Sequence, residues 1–285
     1  MLKRLLTTAI MLPILAVVLF FGGGWLLAVT LVLALIGMYE FYTAISKKTL
    51  PIHFVGYFFA IIYFISLHVV QDFYLYRDIF FVIMIFFFLA AQFCWVITFK
   101  KTTLKNFLAT LAGFLYVPFM LSFVYLVRRE FVLPHLGGGF VGVGFYFVWM
   151  IFISASGSDV FAYLVGRAFG RHKLKGSPSP GKTWEGCFGG ILGAALLGCL
   201  YGWFLSTNNV KYFDASTPMA FAIVAGIGAI ASQMGDLFAS AVKRSMGIKD
   251  FGNLLPGHGG VLDRFDSIMV TAPLMYFMMW RWVLP

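Results

Sequence analysis

Between Ser240 and Ser267 the chain reads SAVKRSMGIKDFGNLLPGHGGVLDRFDS. This sets Lys243, Arg244, Lys249 and Arg264 beside Asp250, Asp263, Asp266 and His258 in an otherwise apolar sequence. Cationic side chains neutralise phosphate and carboxylates hold hard divalent metals, so the mixture suits a charged, phosphate-bearing substrate. Gly257, Gly259 and Gly260 around His258 permit sharp turns and close backbone approach to a ligand. Asp263 and Asp266 are three residues apart and share one face if a helix begins there. Upstream, Asp236 follows Gly235 at the end of an apolar run, and Asp159 lies inside the apolar stretch SDVFAYLVG. An ionisable residue in such a segment is functional by default, through a substrate or a basic partner.

Residues 176–183, GSPSPGKT, fit the letters of a phosphate-binding P-loop. That loop works through successive backbone N–H groups, which Pro178 and Pro180 lack, and no hydrophobic strand precedes it. A P-loop fold is therefore rejected, while Lys182 stays a candidate point charge for a phosphate.

The order S-x-x-K-R-x-x-x-x-K-D-x-x-x-x-x-P-x-H-G-G-x-x-D-R-x-D, filled at every fixed position from Ser240 to Asp266, resembles the signature of the phosphatidate cytidylyltransferases. The resemblance extends upstream to SDVFAYLVGRAFGRHKL, SPGKTWEG and MGDLFAS, and so covers roughly residues 150–285. It implies a membrane enzyme joining CTP and phosphatidate to give CDP-diacylglycerol and pyrophosphate, with Mg²⁺ as cofactor. Carried over residue by residue, it implies metal ligands at Asp236 and Asp263, with Asp266 as a third candidate. Lys243, Arg244, Asp263, Asp266 and His258 become the catalytic candidates. Lys182, Lys249, Arg264, Asp159 and Ser179 become the substrate-binding ones. His258 is expected to donate to a phosphate and not to act as a general base, because a phosphate monoester is already largely ionised at neutral pH.

These residues need a scaffold. The 285-residue chain is 61% hydrophobic and only 11% charged, with a mean hydropathy of +0.91. That excludes an ordinary soluble globule and predicts an all-α polytopic integral membrane protein. Apolar runs at 5–21, 25–45, 52–70, 79–99, 106–127, 139–157, 187–206, 218–235 and 267–284 predict about nine transmembrane helices, with 159–170 as a separate short helix. Residues 1–150 read as a transmembrane scaffold and 151–285 as the catalytic region. Lys3-Arg4 before the first run reads as the start of an uncleaved helix. With the N-terminus inside, 16 of the 21 Lys and Arg residues fall on the cytoplasmic side, as do segments 159–186 and 236–266. The expected location is the inner or plasma membrane of a bacterium, with the polar site facing the cytoplasm.

The net charge of +10 fits attraction to anionic lipid headgroups; no basic soluble domain is present to hold nucleic acid. Cys94, Cys187 and Cys199 have no metal-ligand spacing and read as small core residues. GxxxG spacings at Gly186/Gly190 and Gly189/Gly193 permit close helix packing within one chain or in a homodimer. Two other functions fit parts of the pattern. A CTP-dependent lipid kinase would release CDP in place of pyrophosphate. An anion or lipid transporter fits the hydrophobic spans, but the charges lie at helix ends and in loops and no inverted repeat is visible.

Overall fold

The structure is a computed structural model that describes residues 13–70, 73–99, 103–129, 142–174, 176–208, 210, 213–254 and 259–283. The described chain is helical, and its β structure is confined to one isolated bridge, Lys173 to Thr183. A helical stretch over 13–21 is followed by α1 (Gly23–Ile45), α2 (His53–Val69), α3 (Phe73–Ile97) and α4 (Leu104–Phe114). A π-helical turn (Leu115–Phe119) joins α4 to α5 (Met120–Arg129); α6 (Val143–Phe169), α7 (Trp184–Thr207), α8 (Thr217–Ser245) and α9 (Leu262–Val283) complete the order. The π turn contains Pro118, whose ring and missing N–H would break a regular α ladder.

Among the described residues, six stretches are long and apolar enough to cross a membrane: α1, Asp78–Ile97 of α3, Leu104–Arg129, α6, α7 and α8. This is an all-α polytopic integral membrane protein, but the six differ from the nine expected, for three reasons. Most of the run at 5–21 lies outside the described residues. Helix α2 has 17 residues, about 26 Å at 1.5 Å per residue, short of a ~30 Å hydrocarbon core. Helix α9 carries Asp263, Arg264, Asp266 and Arg281, which dilute its apolar character.

Two boundaries are corrected. The segment 159–170 is not a separate helix, because α6 runs unbroken for 27 residues through Asp159. Likewise, Gly235-Asp236 does not end α8, which continues to Ser245 and keeps Lys243 and Arg244 in its last turn. Basic residues there complement the negative end of the helix dipole.

The chain forms two compact units, Met1–Tyr125 with Ser245–Arg264, and Leu126–Arg244 with Phe265–Pro285. The first is centred on Tyr42, fully buried, whose hydroxyl donates to the Thr110 carbonyl at 2.9 Å. Its ring occupies the space that side chains at Gly56 and Gly113 would take. Gly113→Ala therefore displaces Tyr42 and lowers stability by about 1–3 kcal/mol, against a helix-propensity gain of only about 1 kcal/mol; thermal unfolding in detergent reads the difference. Of the three consecutive phenylalanines in α3, Phe87 is buried while Phe86 and Phe88 face outward, as a lipid-exposed helix requires.

In the second unit, small residues let α6 and α7 pack almost backbone to backbone. A methyl on Gly186 would lie 2.8 Å from the Ala162 carbonyl oxygen, and one on Gly190 2.8 Å from that of Ser158. The other face of α7 uses Gly198 and Gly202 against Phe221, Thr217 and Pro218 of α8. The start of α8 is fixed by Asp214, whose Oδ1 accepts from the Ser216 hydroxyl at 2.7 Å and the Ser216 N–H at 2.9 Å. Those bonds hold its carboxyl below the ordinary carboxylate range.

Candidate active site

The second unit gathers five of the candidate residues. Lys182 Nζ lies 2.5 Å from Asp236 Oδ2. Asp236 follows from α8 itself: Gln233, Asp236 and Lys243 repeat at helical spacing on one face. Lys182 is delivered by a hairpin-like loop. Leu174 N–H donates to the Lys182 carbonyl and Trp184 N–H to the His172 carbonyl, both at 3.0 Å. Thr183 then caps α7 by accepting from the Gly186 N–H at 3.1 Å. The GSPSPGKT segment thus closes as a turn onto a helix, with no strand before it among the described residues.

A cleft of about 330 Å³ opens beside this pair, within the range of small-ligand sites. It is lined by Asp159, Tyr163, Arg167, Lys182, Thr183 and Gln233 among others. Asp159 comes from the middle of α6, and Arg167 Nη1 donates to the Tyr163 hydroxyl one turn along at 3.2 Å. Gln233 Nε2 donates to Ser158 Oγ and to the Cys187 carbonyl, each at 3.0 Å, and so ties α8 to α6 and α7 at the cleft wall.

Asp266 is 7% exposed; its Oδ1 accepts from the Ser267 N–H at 2.8 Å. Its carboxylate is within electrostatic reach of Asp236, Lys243 and Asp159. Lys243 is also buried, at 8% exposure. Burying a lone cation or carboxylate is costly, so these two charges support each other. Three carboxylates, Asp159, Asp236 and Asp266, meet three cations, Lys182, Lys243 and Arg167, around this cleft, so the formal charges balance. Among the described residues no three His, Cys, Asp or Glu side chains converge tightly enough to hold a metal alone. Magnesium does not need that, since one or two carboxylates plus water and substrate phosphates suffice. The hard oxygens of Asp236 and Asp266 are of the type such an ion takes.

The first unit holds Lys249, Asp250, Asp263 and Arg264 of the signature. Asp263 is in the first turn of α9, which begins five residues before the expected span at 267–284, and its Oδ2 accepts from the Phe251 N–H at 2.8 Å and the Gly260 N–H at 3.0 Å. It therefore folds the preceding loop as well as carrying charge. Gly259, at φ +81°, makes the turn that a side chain would strain. Lys249, Asp250 and Arg264 are surface residues of this unit or its loop, and Arg244 is exposed at the end of α8. Ser179 is half-buried in the hairpin and outside the cleft lining. His258 lies outside the described residues.

Arg167 is a cleft residue to which sequence reasoning gave no role, and Gln233 is one that it passed over altogether. Its signal was present: an uncharged amide inside an apolar run, three residues before Asp236 and hence on the same helix face.

Comparison with known proteins agrees with the signature. The cytidylyltransferase family pattern matches residues 2–282. A phosphatidate cytidylyltransferase of Rickettsia bellii is 35% identical over 175 residues, which cover 61% of this chain and 71% of that protein. One from Thermotoga maritima is 36% identical over 172 residues, covering 60% and 58%. One from Haemophilus influenzae is 40% identical over 134 residues, covering 47% and 46%. The matched stretch thus spans about half the length of the last two relatives. With the match running nearly end to end, the chain belongs to the cytidylyltransferase family, a family of nucleotidyltransferases.

Proposed function

We propose that this protein is a phosphatidate cytidylyltransferase, converting CTP and phosphatidate into CDP-diacylglycerol and pyrophosphate. The observation that carries the reading is the pairing of Lys182 with Asp236 where Lys182, Asp159 and Gln233 line one cleft. A helical membrane protein with paired charge at a small-ligand cleft suits a water-soluble nucleotide meeting a lipid, and the relatives above bear the name of that reaction.

In the reaction a phosphatidate oxygen attacks the α-phosphorus of CTP. The new Pα–O bond forms from the oxygen lone pair, and the bond from Pα to the bridging oxygen breaks, its electrons leaving on pyrophosphate. The barrier is the approach of two polyanions, so fixed positive charge stabilises the transition state more than a general base would. Lys182 and Lys243 supply that charge from the second unit, Arg167 adds to it at the cleft, and Lys249 and Arg264 are assigned to phosphates on the signature alone. Asp236 and Asp266 would hold Mg²⁺, with Asp263 assigned by the signature, and when bound it would supply charge neutralisation at the phosphates. The N-terminus and site face the cytoplasm of a bacterial membrane in this reading, supported by the distribution of Lys and Arg.

The test uses the purified chain in detergent with phosphatidate and CTP labelled at the α-phosphorus, with and without Mg²⁺. Mg²⁺-dependent label in the lipid fraction with equimolar pyrophosphate is expected. Transfer of γ-label with CDP release would replace the reading by a lipid kinase.

A further inference from the structure

Helix α1 reaches the loop before α9 through three residues on one face. Phe41 packs against Phe251 with ring centroids 6.4 Å apart. A methyl on Gly37 would lie 3.6 Å from a Leu262 methyl carbon. Between them Glu40, only 4% exposed, directs its carboxylate at the start of α9. Oε1 accepts from the Val261 N–H at 3.0 Å, and Oε2 from the Leu262 N–H at 2.8 Å. The first N–H groups of a helix have no partner within the helix, and an anion there also meets the positive end of the dipole. The loop makes room for this carboxylate with two glycines. A methyl on Gly260 would lie 2.5 Å from Oε2, and one on Gly252 would overlap Oε1. Neither glycine has a positive φ, so their small size answers to Glu40 and not to backbone strain. One residue on, the Gly260 N–H donates to Asp263.

We propose that Glu40 is a positioning residue: from the scaffold half of the chain it caps α9 and holds residues 259–263, so that Asp263 is presented in one orientation. The consequence for turnover rests on the cytidylyltransferase reading; the capping itself does not. Glu40 acts through the loop and touches no substrate.

The experiment compares E40Q, G252A and the double variant in the full chain. Gln keeps the shape but sets an NH₂ group against a backbone N–H, and Ala at 252 crowds a carboxylate left in place. The readouts are kcat and KM for CTP, thermal midpoint in detergent, and amide hydrogen exchange across 259–263. Each single variant is expected to lower kcat by about tenfold or more with KM for CTP little changed and to speed exchange at 259–263 more than elsewhere. Because both disturb one contact, the double variant should be no worse than the poorer single. Wild-type kcat and unchanged exchange in either single variant overturn the proposal, as do strictly additive losses. Should E40Q fail to fold, G252A alone decides by the same readouts. A wild-type chain that transfers no label would defeat the cytidylyltransferase reading instead, and exchange at 259–263 would still judge the cap.

Discussion

Asp236→Asn lowers cytidylyl transfer by about 10²–10³-fold, the usual loss when one preorganised charge is removed from a phosphoryl or acyl transfer site. The substitution is nearly isosteric and leaves α8 intact. What it removes is the partner of Lys182, 2.5 Å away, and one of the hard oxygens offered to a cation. The two side chains are 23% and 28% exposed, and a partly exposed ion pair contributes only about 0–1 kcal/mol to stability. The thermal midpoint and detergent-solubilised size should therefore stay near those of the wild type while the rate collapses, which separates a catalytic from a structural cause. Lys182→Ala is expected to fall comparably. If the pair works as a unit on one phosphate group, the double variant loses less than the product of the two single losses. A rate for Asp236→Asn within about threefold of wild type would remove Asp236 from the machinery, whatever the other signature residues do.

Much of this site was legible in the residue order because its chemistry needs charge where a membrane protein otherwise tolerates little. Asp236, Lys243 and Asp266 stood out against apolar surroundings, and the structure places Asp266 within electrostatic reach of Asp236, Lys243 and Asp159. The failure of GSPSPGKT as a P-loop was legible too, from two prolines without N–H groups. Helix boundaries were read less well. Hydropathy falls at Asp159 and at Asp236, which suggested that spans ended there; the helices continue because backbone hydrogen bonding and packing on small residues, not average hydropathy, set where a helix stops. Glu40 gives no comparable signal, since its partners are backbone N–H groups more than 200 residues away. Backbone donors carry no sequence signature.

Gly190→Ala should destabilise the second unit and slow turnover together, whereas Gly226→Ala should do neither. Both glycines lie inside helices of the same unit, where alanine ordinarily gains about 0.5–1 kcal/mol. At Gly226 the added methyl meets nothing closer than the Ala195 Cβ at 3.7 Å, an ordinary contact, so the gain is kept. At Gly190 the methyl would lie 2.8 Å from the Ser158 carbonyl oxygen and 2.8 Å from Gln233 Nε2. Backbone cannot swing aside as a side chain can, so α6 and α7 must part by several tenths of an ångström. Overpacking of this kind costs about 1–3 kcal/mol, more than propensity returns. The displaced amide is the one that joins Ser158 and the Cys187 carbonyl across the cleft wall, so strain at Gly190 reaches the geometry around Lys182 and Asp159. Thermal midpoints in detergent and initial rates on the two variants test this directly. Equal behaviour of the pair would mean that α7 glycines serve helix flexibility alone; a selective loss at Gly190 ties the close α6–α7 approach to the site it builds.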